Sequence, residues 1–305
     1  MIKEELEIKD IYGMGAMNVA GWMDMVSLMP NTPDIIEQLL SPQQIMLLCG
    51  QFQIGKTNEL LHLYFSFIHE GCQWHGLEIA PCPVLYIGWE GNPRKVANRL
   101  NKIKAQYKDK REVYPGYFKM IDHKVNLNTV AGREEYVAII SKLTPKPSVI
   151  LLDPFKRTVQ GNYSIPDVAE SWIVGASSIA RDSNTSIIAA HHTNKIVYQR
   201  GQSEDTLSAD KVKGAKDLLD GVNSALLFGE ERGSRRVKDK REGEEYSKVV
   251  WATLNNVIKV LKAKDADVQT ELPMLKVNFN RQQLRLTGQR WEISEGNVRL
   301  VDDTF

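Results

Sequence analysis

The chain has 305 residues, 42% of them hydrophobic and 25% charged. That is the composition of a globular protein with a substantial core, and it excludes a disordered, collagenous or membrane-spanning chain. With 39 basic against 38 acidic residues the formal charge is +1, so any nucleic-acid surface has to come from local clustering of charge.

Cys49, Cys72 and Cys82 are too few for a disulfide framework. Cys72, His75 and Cys82 fit no zinc spacing and have no evident fourth ligand. The start, MIKEELEIKDIYG, lacks an apolar signal core, and no apolar run reaches the ~18 residues of a membrane helix. A soluble protein of a reduced, cytoplasmic compartment is expected.

Residues 1–40 hold the charged start, a Met-rich stretch over 14–29 and the segment PNTPDIIEQLL. The Met-rich stretch reads as a flexible core or contact helix. An apolar run over 45–49 is a buried strand, followed by a glycine-bounded loop and a helix. The apolar face of that helix is Leu60, Leu61, Tyr64, Phe65 and Ile68, with Gly71 beyond its end. A second strand is expected over 83–88 and a helix over 93–107. A third strand over 148–152 ends at Asp153-Pro154, and a polar loop over 155–164 follows it.

Ser164 and Asp167 predict a capping box for a helix whose apolar face is Val168, Trp172, Ala176 and Ile179. A fourth strand over 186–190 ends at His191-His192, and a polar loop over 193–213 leads to a short helix and the apolar run 224–228. Residues 229–248 are the most charged stretch and read as an exposed, mobile loop. Residues 249–261 have helical spacing (Val250, Leu254, Val257, Leu261). Late strands are expected over 274–279, 283–286 and 298–301, with a hairpin at GQRWEISEGN.

Short, nearly continuous apolar strands alternating with helices predict an α/β fold, a mostly parallel twisted sheet with helices on both faces. The expected organisation is an N-terminal arm over 1–40 and one α/β domain over 41–305. That domain carries a charged insertion at 229–248 and a C-terminal strand and hairpin extension.

Gly50, Gln51, Phe52, Gln53, Ile54, Gly55, Lys56 and Thr57 fit G-x-x-x-x-G-K-[ST] between a strand and an amphipathic helix, the context that gives this motif its meaning. The glycines let backbone N–H groups converge on phosphates, and the following helix, entered through Asn58, turns its positive end to the same place. Lys56 supplies charge to the β- and γ-phosphates, and Thr57 offers a hydroxyl to Mg²⁺. ATP and Mg²⁺ are the implied cofactors. Asp153, at the carboxyl end of a buried strand, is the second expected metal residue. Glu90, ending another apolar strand, is the expected general base for water. Adjacent His191 and His192 face opposite sides of a strand, so only one can meet the nucleotide.

GQFQIGKT, VLYIGWEGN followed by Arg99-Leu100, VILLDPFKRT and AAHHTNK occur in this order. Together they resemble the RecA/DnaB superfamily of ring ATPases, and most the RepA-type hexameric helicase branch, over about residues 32–228 with weaker similarity at KVNFNRQQLR. The resemblance implies a RecA-like core in which Glu90 activates water. It also implies a γ-phosphate sensor at His192, with His191 as its competitor. It implies DNA-lining loops whose cations are Lys156, Arg157, Lys195, Arg200, Lys211 and Lys213. A basic finger given to the neighbouring subunit is implied at Arg281, with Lys276 second. The activity implied is that of a DNA-dependent ATPase and replicative helicase forming a hexameric ring on single-stranded DNA, without a membrane. A primase or replication-initiation protein would be its partner, in a bacterial, plasmid or phage setting. A RecA-like recombination or strand-annealing ATPase, and a ring ATPase without nucleic acid, are the alternatives.

Overall fold

The computed structural model describes residues 16, 18–28, 32–89, 91–194, 208–241, 244–263, 272–280, 282–294 and 297–302; at 215, 231–241, 244–255 and 279 the description is of the backbone. The chain divides into two compact units, residues 1–33 and 34–305. The first contains helix α1 (Val19–Ser27), capped by the Asn18 side chain, which accepts from Gly21 N–H at 2.8 Å.

In the second unit the elements follow in chain order. They are β1 (Ile45–Gly50), α2 (Lys56–Ile68), the small hairpin β2 (Gln73–Trp74) and β3 (Leu77–Glu78), β4 (Val84–Gly88), α3 (Pro93–Lys104) and β5 (Gly116–Met120). Next come α4 (Val130–Ile140), β6 (Val149–Asp153), α5 (Pro166–Asp182), β7 (Ser186–His192) and α6 (Ala215–Gly221). The last are β8 (Ser224–Arg241), β9 (Glu244–Ala263), β10 (Leu275–Asn280), β11 (Arg285–Ser294) and β12 (Asn297–Asp302).

One ten-stranded sheet runs β12-β11-β10-β9-β8-β1-β7-β6-β4-β5. From β5 to β8 every pairing is parallel, and from β8 to β12 every pairing is antiparallel. All residues of β1, β4 and β6 are buried, as continuous apolar strands must be when helices cover both faces. Alternation then splits each strand between two cores. Met46, Leu48, Ile188 and Ala190 pack with Leu60, Phe67 and Ile103 of α2 and α3. Leu47, Cys49, Ile187 and Ala189 pack with Tyr136, Trp172, Ala176 and Leu218 of α4, α5 and α6. Ile35, Ile36, Leu39 and Leu40, which the sequence pattern assigns to the arm, are instead buried in the first of these cores.

Some expectations fail for identifiable reasons. The loop of 229–248 and the helix of 249–261 are instead the two strands of one long antiparallel hairpin, paired from Ser224↔Ala263 to Arg241↔Glu244 with register shifts at Ala225/Leu226 and Glu231/Arg232. The residues with helical spacing are rich in β-branched and aromatic types (Val249, Val250, Trp251, Thr253, Val257, Ile258), which favour a strand once a partner lies alongside. The capping box does not form: Ile165 is the N-cap of α5 with no side-chain bond, and Pro166 sets the first turn. β5 and α4 are not anticipated by the sequence pattern. β5 is a short edge strand with Lys119 and Met120 exposed, and α4 buries only Gly132, Tyr136 and Ile140.

Candidate nucleotide-binding site

β1 delivers the chain into the phosphate-loop motif at the carboxyl edge of the parallel strands. At Gly50 a Cβ would lie 2.8 Å from the Phe228 carbonyl oxygen, so only glycine lets β1 end this close to β8. Gly55, the N-cap of α2, has φ 107°, the left-handed region open to glycine. α2 is then anchored by burial of eleven of its 13 residues, each large apolar one contributing roughly 1.5–3 kcal/mol. The first turn of a well-anchored helix thereby opens on a cavity of about 490 Å³ lined by Lys56, Thr57 and Asn58, with Phe52, Gln53, Ile54 and Gly55 of the loop.

Lys56 is 6% exposed. Its Nζ donates to the carbonyl oxygens of Gly50 at 2.7 Å and Gln51 at 2.6 Å. Burial pulls its pKa down to about 8, partly opposed by the negative charge of Asp153. The ammonium is therefore still charged at neutral pH but poorly compensated, which favours an incoming anion.

The opposite wall comes from neighbouring strands. Asp153 and Pro154, at the end of β6, line the cavity with Ala190 and His192 of β7. Tyr86 of β4 donates its hydroxyl proton to Asp153 Oδ2 at 2.8 Å, and its ring stacks on Phe118 with centroids 4.6 Å apart. This fixes the Asp153 carboxylate. Burial, followed by the Asp153 charge, pushes the Tyr86 phenol well above its usual range, so it remains a donor. Arg99 reaches the cavity from α3. The sequence alone gives neither Tyr86 nor Arg99 a role: Tyr86 is one residue of a buried strand, and Arg99 stands out only as the neighbour of Leu100.

The two histidines part company. His192 lines the cavity, its ring 6.5 Å from that of the exposed Phe52. His191 faces the other core against Phe155 and Tyr163, at 4.5 and 5.5 Å between centroids. Burial holds the His191 pKa down to about 4. Lys156 and Arg157 lie in a short 3-10 turn (Phe155–Thr158) after β6, with Lys156 exposed. Lys211 donates to Asp210 Oδ2 at 2.8 Å, and Lys213 sits 5.0 Å above the Tyr163 ring. Lys276 is in β10. Glu90, Arg281, Lys195 and Arg200 lie outside the described residues.

The donor set fits a magnesium triphosphate. Among the described residues no three His, Cys, Asp or Glu side chains cluster to hold a metal. Mg²⁺ does not need such a cage, since it is held by one or two protein oxygens together with phosphates and water. Thr57 and Asp153, which share the cavity with Lys56, are the residues that would hold it, and the ion would offset phosphate charge. A larger cavity of about 590 Å³ between β5 and α4, lined by Leu85, Phe118 and Ile139 among others, holds none of the phosphate-loop residues. Volume alone does not locate the chemistry.

No curated protein matches the sequence. No helix among the described residues is long and apolar enough to cross a membrane. A family model described as an AAA domain matches residues 19–196, more than half the chain and the whole of the phosphate loop, β6 and β7. The chain belongs to this AAA-domain family of P-loop ATPases.

Proposed function

We propose that the chain is an ATP-driven translocase on single-stranded DNA, a helicase of the RepA/DnaB type working as a homo-oligomeric, hexameric ring in DNA replication. The observation that carries the reading is the strand order. β7 lies between the phosphate-loop strand β1 and the Asp153 strand β6, so His192 lines the same cavity as Lys56 and Asp153. A polar ring there can feel the γ-phosphate and pass its loss along β7 to the segment that follows.

In this reading Glu90 takes the proton from the attacking water, and Lys56 and Arg99 counter the charge developing on the phosphoryl oxygens. Arg281 reaches into the neighbouring subunit's site. Lys156, Arg157, Lys195, Arg200, Lys211 and Lys213 touch the DNA backbone. The N-terminal unit over residues 1–33 grips a neighbouring subunit through α1.

A second reading, a ring ATPase without nucleic acid, draws support from the Lys211–Asp210 pair, which offsets one of the six candidate DNA cations. The test is the ATPase rate with and without single-stranded DNA, with mass measured in the presence of ATP. Strong stimulation together with a closed ring is expected. DNA-independent hydrolysis by a monomer would reject the proposal. Glu90→Gln is expected to bind ATP and hydrolyse it at least roughly a hundredfold more slowly, the scale of losing a general base.

A further inference from the structure

The hairpin of β8 and β9 is far longer than the sheet needs. β8 pairs with β1 only over Ser224–Phe228, through Met46↔Ser224 to Gly50↔Phe228. β9 pairs with β10 only through residues 256–258. From Arg232↔Thr253 to Arg241↔Glu244 the register is continuous, and among the described residues these parts of the two strands pair only with each other.

Charge is concentrated there. Residues 232–241 and 244–253 contain seven Lys or Arg against three Asp or Glu, a net of +4, in a chain whose total is +1. Near the tip the cross-strand partners are of opposite charge, Lys240↔Glu245 and Arg241↔Glu244. Along the shaft they are not: Arg232, Arg235, Arg236, Lys238 and Lys248 stand opposite Thr253, Val250, Val249, Ser247 and Val237. Strand alternation puts Arg232, Arg236 and Lys238 on one face of the ribbon and Arg235 and Lys248 on the other. Neighbouring same-face positions are roughly 6.8 Å apart.

We propose that this ribbon is a docking arm for double-stranded DNA, entering the major groove with a cation-bearing face towards each phosphate wall. Three features favour the duplex. A major groove about 12 Å wide admits a two-stranded ribbon, whereas the deep, narrow groove of A-form RNA does not. Cations on both faces suit two groove walls rather than one strand. Surfaces for single strands stack successive bases on aromatic side chains, but the ribbon's two aromatic residues, Tyr246 and Trp251, fall on opposite faces by register. The role of this arm does not require that the chain be a helicase.

The test uses the full chain without nucleotide and measures anisotropy of a labelled DNA duplex, a single strand of the same length and an RNA duplex between 50 and 200 mM salt. The triple change R232Q/R236Q/K238Q is expected to weaken duplex DNA binding at least tenfold. It is also expected to lower the salt slope by roughly 2.7, about 0.9 for each phosphate that is no longer neutralised, with single-strand binding unchanged. R235Q/K248Q is expected to act the same way to a smaller extent, and Lys56→Ala to leave duplex binding intact. Retained ATP binding by the ribbon variants certifies their fold. Duplex affinity within twofold of the parent in both ribbon variants overturns the proposal. So does a loss confined to single strands or to RNA.

Discussion

His191 is hydrogen-bonded through Nε2 to the backbone carbonyl of Lys213, at 2.8 Å. With its pKa held down to about 4 by burial, the ring is neutral at physiological pH and Nε2 carries the donated proton. The end of β7 is thereby tied to residues 208–213, which Thr193↔Val212 and the Asn194 N–H to Lys211 carbonyl bond at 2.8 Å reinforce.

His191→Ala is therefore expected to loosen that segment while leaving ATP affinity intact, because His192 rather than His191 lines the cavity. Loss of the bond is worth roughly 1.4 kcal/mol, about tenfold in local opening. Hydrogen exchange of the amides over 208–213 reads it. Unchanged protection there, or a large loss of ATP affinity, would contradict the assignment.

ATP binding is expected to depend on pH through Lys56. Its pKa in the free protein is about 8, lowered first by burial, and phosphates placed beside it can only raise that value. The bound state thus holds the proton more tightly, so affinity is full well below pH 8 and falls as pH rises through it. Calorimetry at pH 8.5 in buffers of different ionisation enthalpy is expected to detect proton uptake on binding. Zero uptake would show that the phosphates do not approach this ammonium. Lys56→Ala is expected to abolish both the uptake and measurable binding.

Acid is expected to destabilise the fold in two steps. Burial holds the pKa of both His62 and His191 down to about 4 from 6.5. Between those values the unfolded chain takes up protons that the folded chain refuses, and stability falls as pH drops, by roughly 1.4 kcal/mol per pH unit for each group. Below 4.5 Glu59 joins in. Burial alone would raise its pKa, but the charge and hydrogen bond of His75, with the smaller effects of His62 and Arg285, together outweigh that and bring it to about 2, so its contribution is lost as pH falls from 4.5 towards 2. Urea midpoints at pH 7.5, 6.0 and 5.0 check the first step, and a flat series would exclude it.

Glu59, fully buried one turn into α2, accepts from Trp74 Nε1 at 2.9 Å and Leu286 N–H at 3.1 Å, and bonds His75 Nε2 at 3.0 Å. One carboxylate thus staples the phosphate-loop helix to both the small hairpin and the C-terminal strands. Glu59→Ala leaves these partners unpaired in a dry core and is expected to cost roughly 3–5 kcal/mol, read as a drop in the urea midpoint. A loss below about 1 kcal/mol would mean the staple is not needed.

How much of the fold and site is readable without coordinates follows from the physics of each element. The phosphate loop declares itself locally, because glycines at fixed spacing before Lys56-Thr57 are needed wherever a backbone curls around phosphate. β1, β4, β6 and β7 declare themselves as apolar runs too short for helices, since a strand covered on both faces has no polar side to show. Asp153 follows from its place at the end of such a run. These signals lie within a few residues of one another in the chain, and a linear reading captures them.

What folding alone decided depends on contacts between distant segments. A strand's two faces are equivalent in sequence, so whether His191 or His192 meets the cavity awaited the packing of α2 on one side and α5 on the other. The hairpin of β8 and β9 escaped because the charged stretch and the apolar stretch that pair within it carry opposite local signals, loop and helix. Only cross-strand pairing makes both into strand. Glu59, Tyr86 and Arg99 gained their places in the same way, because a lone polar residue in an apolar pattern gives no sign of the partners that three-dimensional proximity brings to it.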